Sequence, residues 1–199
     1  MAARYKTAHC IVTVLLALQP LQTLMAEQTR YILDDRSIET INTSNGEHWR
    51  LFTDGVMGGI SQGQLAKDVI NDHKCLRMRG DVKLDNNGGF VQMALNLPAD
   101  VIDDISSYSG LVLEVYGNDE SYNVHLRTAN MWLPWQSYRH SFIAPSEWTT
   151  LQIPFSEFKP YRFSKTLNIS KLKRIGLVAI GREFSADLCV GKIGLYREQ

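Results

Sequence analysis

The chain has 199 residues, with 21 basic and 21 acidic side chains and a formal net charge of +0 at pH 7. That balance excludes a strongly basic chain and gives no sign of a nucleic-acid or anionic-membrane partner. A hydrophobic share of 44% with 21% charged residues excludes a disordered chain, and the length suits one ordinary domain with a real core.

The first segment reads as a targeting signal. Arg4 and Lys6 form a positive start, the apolar run Cys10 to Leu18 follows, Pro20 breaks it, and Ala26 precedes Glu27. This pattern predicts a cleaved secretory signal over residues 1–26 and a mature domain over 27–199, exported to the periplasm or secreted. Leu24 departs from the small residue preferred before the cleavage site. A mitochondrial presequence fits less well, because the segment is poor in Arg and Ser. The run is shorter than the roughly 20 apolar residues of a membrane span, so the mature chain is expected to lack a transmembrane segment. Cys10 precedes the run, which argues against a lipoprotein anchor.

Two glycine-rich segments come next, Thr53 to Ser61 and Asp85 to Phe90. Neither ends in the Lys-Ser/Thr of a phosphate loop, and neither reads G-x-G-x-x-G. Asp54, Gly55, Gly58 and Gly59 in the first, and Asn87, Gly88, Gly89 and Phe90 in the second, are therefore expected to shape bends at an edge of the fold. A Gly59→Val change should accordingly damage folding rather than a chemical step.

Beyond Glu27 the hydrophobic period is two. Leu76 and Met78 alternate with Arg77 and Arg79; Leu111, Leu113 and Val115 with Val112, Glu114 and Tyr116; Tyr122, Val124 and Leu126 with Asn123, His125 and Arg127. Tyr138 to Phe142 and Thr149 to Ile153 continue the pattern. Ile175 to Ile180 is apolar throughout, as in a central strand, and Leu188 to Tyr196 closes the chain. One short helical stretch lies near Ala99 to Ile105. Short alternating strands separated by turn signals predict an all-β chain, a jelly-roll β-sandwich with at most one or two short helices.

Motifs that carry chemistry are sparse. Gly59-Ile60-Ser61-Gln62-Gly63 matches G-x-S-x-G, but the strand-turn-helix context that makes a serine nucleophilic is missing. No catalytic residue and no cofactor is therefore expected, and the chain is read as a non-enzyme. The histidines are scattered without paired-ligand spacing, so no metal is expected. Asp34, Asp35 and Asp187 are better explained as turn and surface carboxylates than as a calcium site. Cys75 and Cys189 alternate with core positions, and either a disulfide or two separate thiols is compatible with the sequence.

Between Arg127 and Phe142 lies an aromatic hairpin with Trp132 and Trp135 flanking Leu133-Pro134. Flat rings beside polar planar groups suit a sugar ring or an extended peptide. The candidate ligand- or partner-binding residues are Asn123, His125, Arg127, Asn130, Trp132, Trp135, Tyr138 and His140. The competing reading makes the two tryptophans a plug at one end of the sandwich.

Taken in order, Asp54 to Gly59, Gly80-Asp81-Val82, Asn87 to Phe90, Leu126-Arg127-Thr128, Trp148, Ile153 to Phe158 and Ile193 to Tyr196 carry a resemblance. From about Leu51 to its end the chain resembles the complex I intermediate-associated protein family, of the thirty-kilodalton assembly-factor type. The resemblance implies a galactose-binding-like jelly roll without catalysis. It also implies a chaperone-like role toward a protein partner, a membrane-arm intermediate of NADH:ubiquinone oxidoreductase. Mitochondrial members work on the matrix side, whereas an export signal leads elsewhere. An exported carbohydrate-binding module using the aromatic hairpin is the alternative, with a glycan as ligand.

Overall fold

The computed structural model describes residues 30–198; the expected signal over residues 1–26 lies outside them. Its strands are β1 (Arg30–Asp34), β2 (Arg50–Thr53), β3 (Gln62–Ile70), β4 (His73–Val82), β5 (Phe90–Asn96) and β6 (Gly110–Tyr116). They continue with β7 (Glu120–Thr128), β8 (Ser137–Ala144), β9 (Thr149–Pro154), β10 (Lys159–Tyr161), β11 (Leu172–Ile180) and β12 (Phe184–Tyr196). Among the described residues one α-helix forms, α1 (Ala99–Asp104), where the sequence predicts a helical stretch.

Two antiparallel sheets result. The first runs β3-β4-β12-β6-β9, with β1 added to β12, and the second runs β10-β8-β7-β11-β5-β2. The fold is thus the jelly-roll sandwich expected from the period-two pattern. One face of each strand supplies the core: Leu76, Met78, Leu113 and Leu188 from the first sheet meet Met93, Val124, Leu126 and Leu177 from the second. At about 25 cal/mol per Å² of apolar area removed from water, burial of these side chains is the main force holding the layers together. β1, β2, β3 and β10 were not foreseen as strands, being short or half-exposed edge and flanking pieces.

Cys75 on β4 and Cys189 on β12 face away from the core yet are buried. Their Cα atoms are 5.6 Å apart and the sulfurs are bonded, a separation within the disulfide range. We expect the mature protein to titrate no free thiol under denaturing, non-reducing conditions; two thiols would mean that the pair stays reduced.

The first glycine segment joins edge strands of the two sheets, and the second joins their inner neighbours β4 and β5. Residues 54–61 carry the chain from β2, the edge of the second sheet, to β3, the edge of the first. At their centre Asp54 is wholly buried. Its Oδ1 accepts the Ser61 backbone N–H at 2.9 Å, and its Oδ2 accepts the Ser61 hydroxyl and the Gly89 N–H. One carboxylate therefore ties the first glycine segment to the second. Burial pushes the Asp54 carboxyl up, but the bonds from the Ser61 hydroxyl and from the Gly89, Ser61 and Phe90 amides outweigh it and hold it below its ordinary value.

This knot explains two of the glycines. Gly58 takes φ +88° at the end of the 3-10 turn Asp54–Met57, a region that side chains with a Cβ avoid. A Cβ on Gly59 would stand 2.3 Å from Asp54 Cγ. Gly59→Val should thus displace the carboxylate and cost about 1–3 kcal/mol of folding stability, read by urea unfolding. A variant as stable as the parent would contradict the knot.

Candidate functional site

Alternation along the strands sends one set of side chains outward from the second sheet. The register pairs His125 with Arg139 across β7–β8, Arg127 with Arg174 and His125 with Gly176 across β7–β11, and Val178 with Gln92 across β11–β5. These side chains line a groove of about 920 Å³. It runs along the strands from Met57 and Gly89 at one end to Trp135 and Tyr161 at the other. The glycine knot therefore builds an end wall of the groove as well as an edge of the fold.

The sequence candidates divide on this geometry. His125, Arg127 and Trp135 line the groove, and Asn123 lies on the same face, accepting a hydrogen bond from Ser141 Oγ at 2.9 Å. Tyr138 and His140 do not share it. Leu126 pairs with Tyr138 and Val124 with His140, so both side chains turn to the core side of β8. There the Tyr138 hydroxyl donates to the Thr166 carbonyl at 2.9 Å, and His140 packs on Phe158. Asn130 shapes its own turn by accepting from Thr128 Oγ1 at 2.6 Å. Trp132 is 93% exposed and plugs nothing, while Trp135 is 45% exposed at the groove's end.

Arg127 positions the aromatic loop. Its guanidinium donates to the carbonyls of Pro134 at 2.6 Å and Gln136 at 2.8 Å, fixing the residues on either side of Trp135. Arg139 lies 3.4 Å over the Tyr161 ring, and Arg174 donates from Nε to Asn96 Oδ1 at 2.9 Å. Arg139, Arg162, Arg174 and Tyr161 escaped sequence reasoning. Each sits on the polar side of a strand or in a loop, where a lone arginine reads as a solvated side chain. The one available signal was that Arg127, Arg139 and Arg174 all fall on the non-core parity of their strands.

His125 forms part of the floor. It is 8% exposed, and its Nε2 is buried without a hydrogen-bond partner. Burial, followed by repulsion from Arg139 and Arg127, drives the imidazole down to about 3, so at neutral pH it is uncharged and can donate or accept one hydrogen bond.

Ser61 stands apart from the groove's polar groups. Its hydroxyl donates to Asp54 Oδ2 and accepts the Lys83 N–H at 2.9 Å, which commits it to the knot. The three aspartates weighed for calcium are also engaged. Asp34 pairs with Arg36 at 3.1 Å and accepts from Trp49 Nε1 at 2.6 Å. Asp187 pairs with Arg77 at 2.6 Å, and Asp35 accepts from the Ser37 N–H at 2.9 Å.

The family model for Complex I intermediate-associated protein 30 (CIA30) matches residues 39–190. The chain belongs to this family. Among solved structures, this CIA30 chain is similar to the family 11 carbohydrate-binding module of the cellulosomal cellulase Lic26A-Cel5E of Clostridium thermocellum. That match has 17% identity and a TM-score of 0.67, covering 85% of this chain and 95% of the module. The Clostridium thermocellum family 11 module in complex with a β-1,3-1,4-mixed-linked tetrasaccharide matches at 16% identity and TM-score 0.67, over 85% of this chain and 96% of the module. A family 30 module of the Clostridium thermocellum cellulase Cel9D-Cel44B matches more loosely, at 12% identity and TM-score 0.51 over 68% and 83%. At these identities the likeness is one of fold. Comparison with curated proteins finds no match. No helix of the described residues is long and apolar enough to cross a membrane.

Proposed function

We propose that this CIA30 chain is a non-catalytic binding protein that holds a glycan along the groove of its second sheet. The observation that carries this reading is an aromatic and planar-polar groove laid over strands whose backbones are already engaged. β8, β7, β11 and β5 each have a hydrogen-bonded neighbour on both sides, so none can add a peptide strand. Recognition falls to side chains, and indole, imidazole, carboxamide and guanidinium groups together suit sugar rings and hydroxyls. The fold-level likeness to a module solved with a tetrasaccharide supports the same reading. A glycan array tests it: binding that weakens on Trp135→Ala is expected, and a blank array would overturn it.

Family membership favours a second reading, an assembly factor that binds a protein intermediate of NADH:ubiquinone oxidoreductase in a chaperone-like way. Crosslinking pull-down from native membranes tests that role, and no reproducible membrane-complex partner would count against it. We place the mature protein outside the cytoplasm, periplasmic or secreted. The pattern of residues 1–26 supports this location, as does the buried Cys75–Cys189 pair, which an oxidising compartment favours.

A further inference from the structure

Arginines among the described residues differ in their partners. Arg36, Arg77, Arg79, Arg182 and Arg197 each lie within 4.0 Å of a carboxylate. Among the described residues, Arg50, Arg127, Arg139, Arg162 and Arg174 have no such partner, and all of these but Arg50 line the groove, which contains no Asp or Glu. A shallower hollow of about 540 Å³ on the outer face of the first sheet shows the contrast, since Arg79 there faces Asp187 at 3.6 Å. In a chain of balanced charge, four arginines without a carboxylate partner share one groove.

Gathering them is unfavourable without a counter-charge. Burial pushes the Arg127, Arg139 and Arg174 guanidiniums below their ordinary value, and a neighbouring arginine (Arg174, Arg162 and Arg50 respectively) adds to the shift. They nonetheless stay charged. An anion in the groove would offset both the burial and the mutual repulsion, and guanidinium forks match the geometry of a carboxylate. The unpartnered Nε2 of His125, between Arg139 and Gly176 in the register, offers one more hydrogen bond from the floor.

We infer that the groove takes an acidic glycan, one whose sugar rings carry carboxylates, in preference to a neutral one. This rests on the glycan-binding reading above, and the arms of the test separate the two. Calorimetric titration of the full mature chain would use polygalacturonate, neutral β-1,3-1,4-glucan and poly-L-glutamate as probes. Polygalacturonate should bind, weaken steadily as salt is raised, and lose about tenfold or more in affinity on Arg174→Gln, given the strength of a charge-assisted hydrogen bond. The salt dependence of the unmodified protein keeps the test valid if a variant folds poorly. Neutral glucan binding as tightly, with no salt effect, would overturn the inference and leave the glycan reading standing. Binding of poly-L-glutamate alone would overturn both and assign the groove to an acidic peptide. No binding of any probe would also overturn both.

Discussion

Asp54→Ala should destabilise this protein by about 3 kcal/mol, because two buried amides lose their acceptor at about 1–3 kcal/mol each. The Ser61 N–H and Gly89 N–H point at that carboxylate. The Ser61 hydroxyl is less affected, since the Lys83 carbonyl lies 3.2 Å away and can receive it instead. Against a total stability of roughly 5–15 kcal/mol, such a loss is large. Asp54→Asn is the sharper variant. It has almost the same shape, but a carboxamide NH₂ would face one of the N–H donors, so it should be little better than alanine. Urea unfolding of the three proteins measures this, and an Asn variant within about 1 kcal/mol of the parent would show that surface water replaces the carboxylate.

The second large effect is acid lability at His125. Its folded value, near 3, lies below the roughly 6.5 of an unfolded histidine. Between those values the unfolded chain takes up a proton that the native floor refuses, so stability falls as pH drops from about 6.5 towards 3. The slope is about 1.4 kcal/mol per pH unit once the unfolded histidine is protonated, which amounts to between 2 and 3 kcal/mol by about pH 4.5. The charges facing the imidazole are Arg139, opposite it on β8, and Arg127 on its own strand, while β11 presents Gly176. His125→Gln should remove this component and flatten the stability curve between about pH 6 and 4.5. Asp54 acts in the same direction at lower pH, because a carboxylate held below its ordinary value loses its contribution only as pH falls through that value. Thermal melts across pH 4–7 compare the two proteins, and identical curves would contradict the buried, neutral imidazole.

The fold was legible in this sequence wherever a strand has one wet face. β4 and β7 alternate because one side meets the core, and that pattern needs no partner strand to be recognised. β10, three exposed residues on a sheet edge, carries no such signal, and with it Tyr161 was lost. The glycine segments were legible as bends, but not the carboxylate that binds them. Asp54 and Gly89 are 35 positions apart, and only the return of β5 beside β2 brings them together.

The candidate site was half legible for a related reason. Parity along β7 correctly put His125 and Arg127 on one face. The face of β8 depends on the register across the loop between Thr128 and Ser137, which no local pattern fixes. The pairing of Leu126 with Tyr138 turned Tyr138 and His140 inward and brought out Arg139 instead. Arg174 enters only because β11, distant in sequence, inserts between β7 and β5. A charge cluster built from three strands is a property of topology, and no single segment displays it.

The most direct measurement is an NMR titration of the isotope-labelled mature protein with a short galacturonate oligomer, following backbone amides and the tryptophan indoles. Binding in the groove predicts shifts confined to His125 and Arg127 on β7, Arg139 on β8, Arg174 to Val178 on β11, and the Trp135 indole, with Trp132 and the outer face of β3 and β4 unchanged. Shifts centred on β3 and β4, or on the solvent-exposed Trp132 alone, would contradict it.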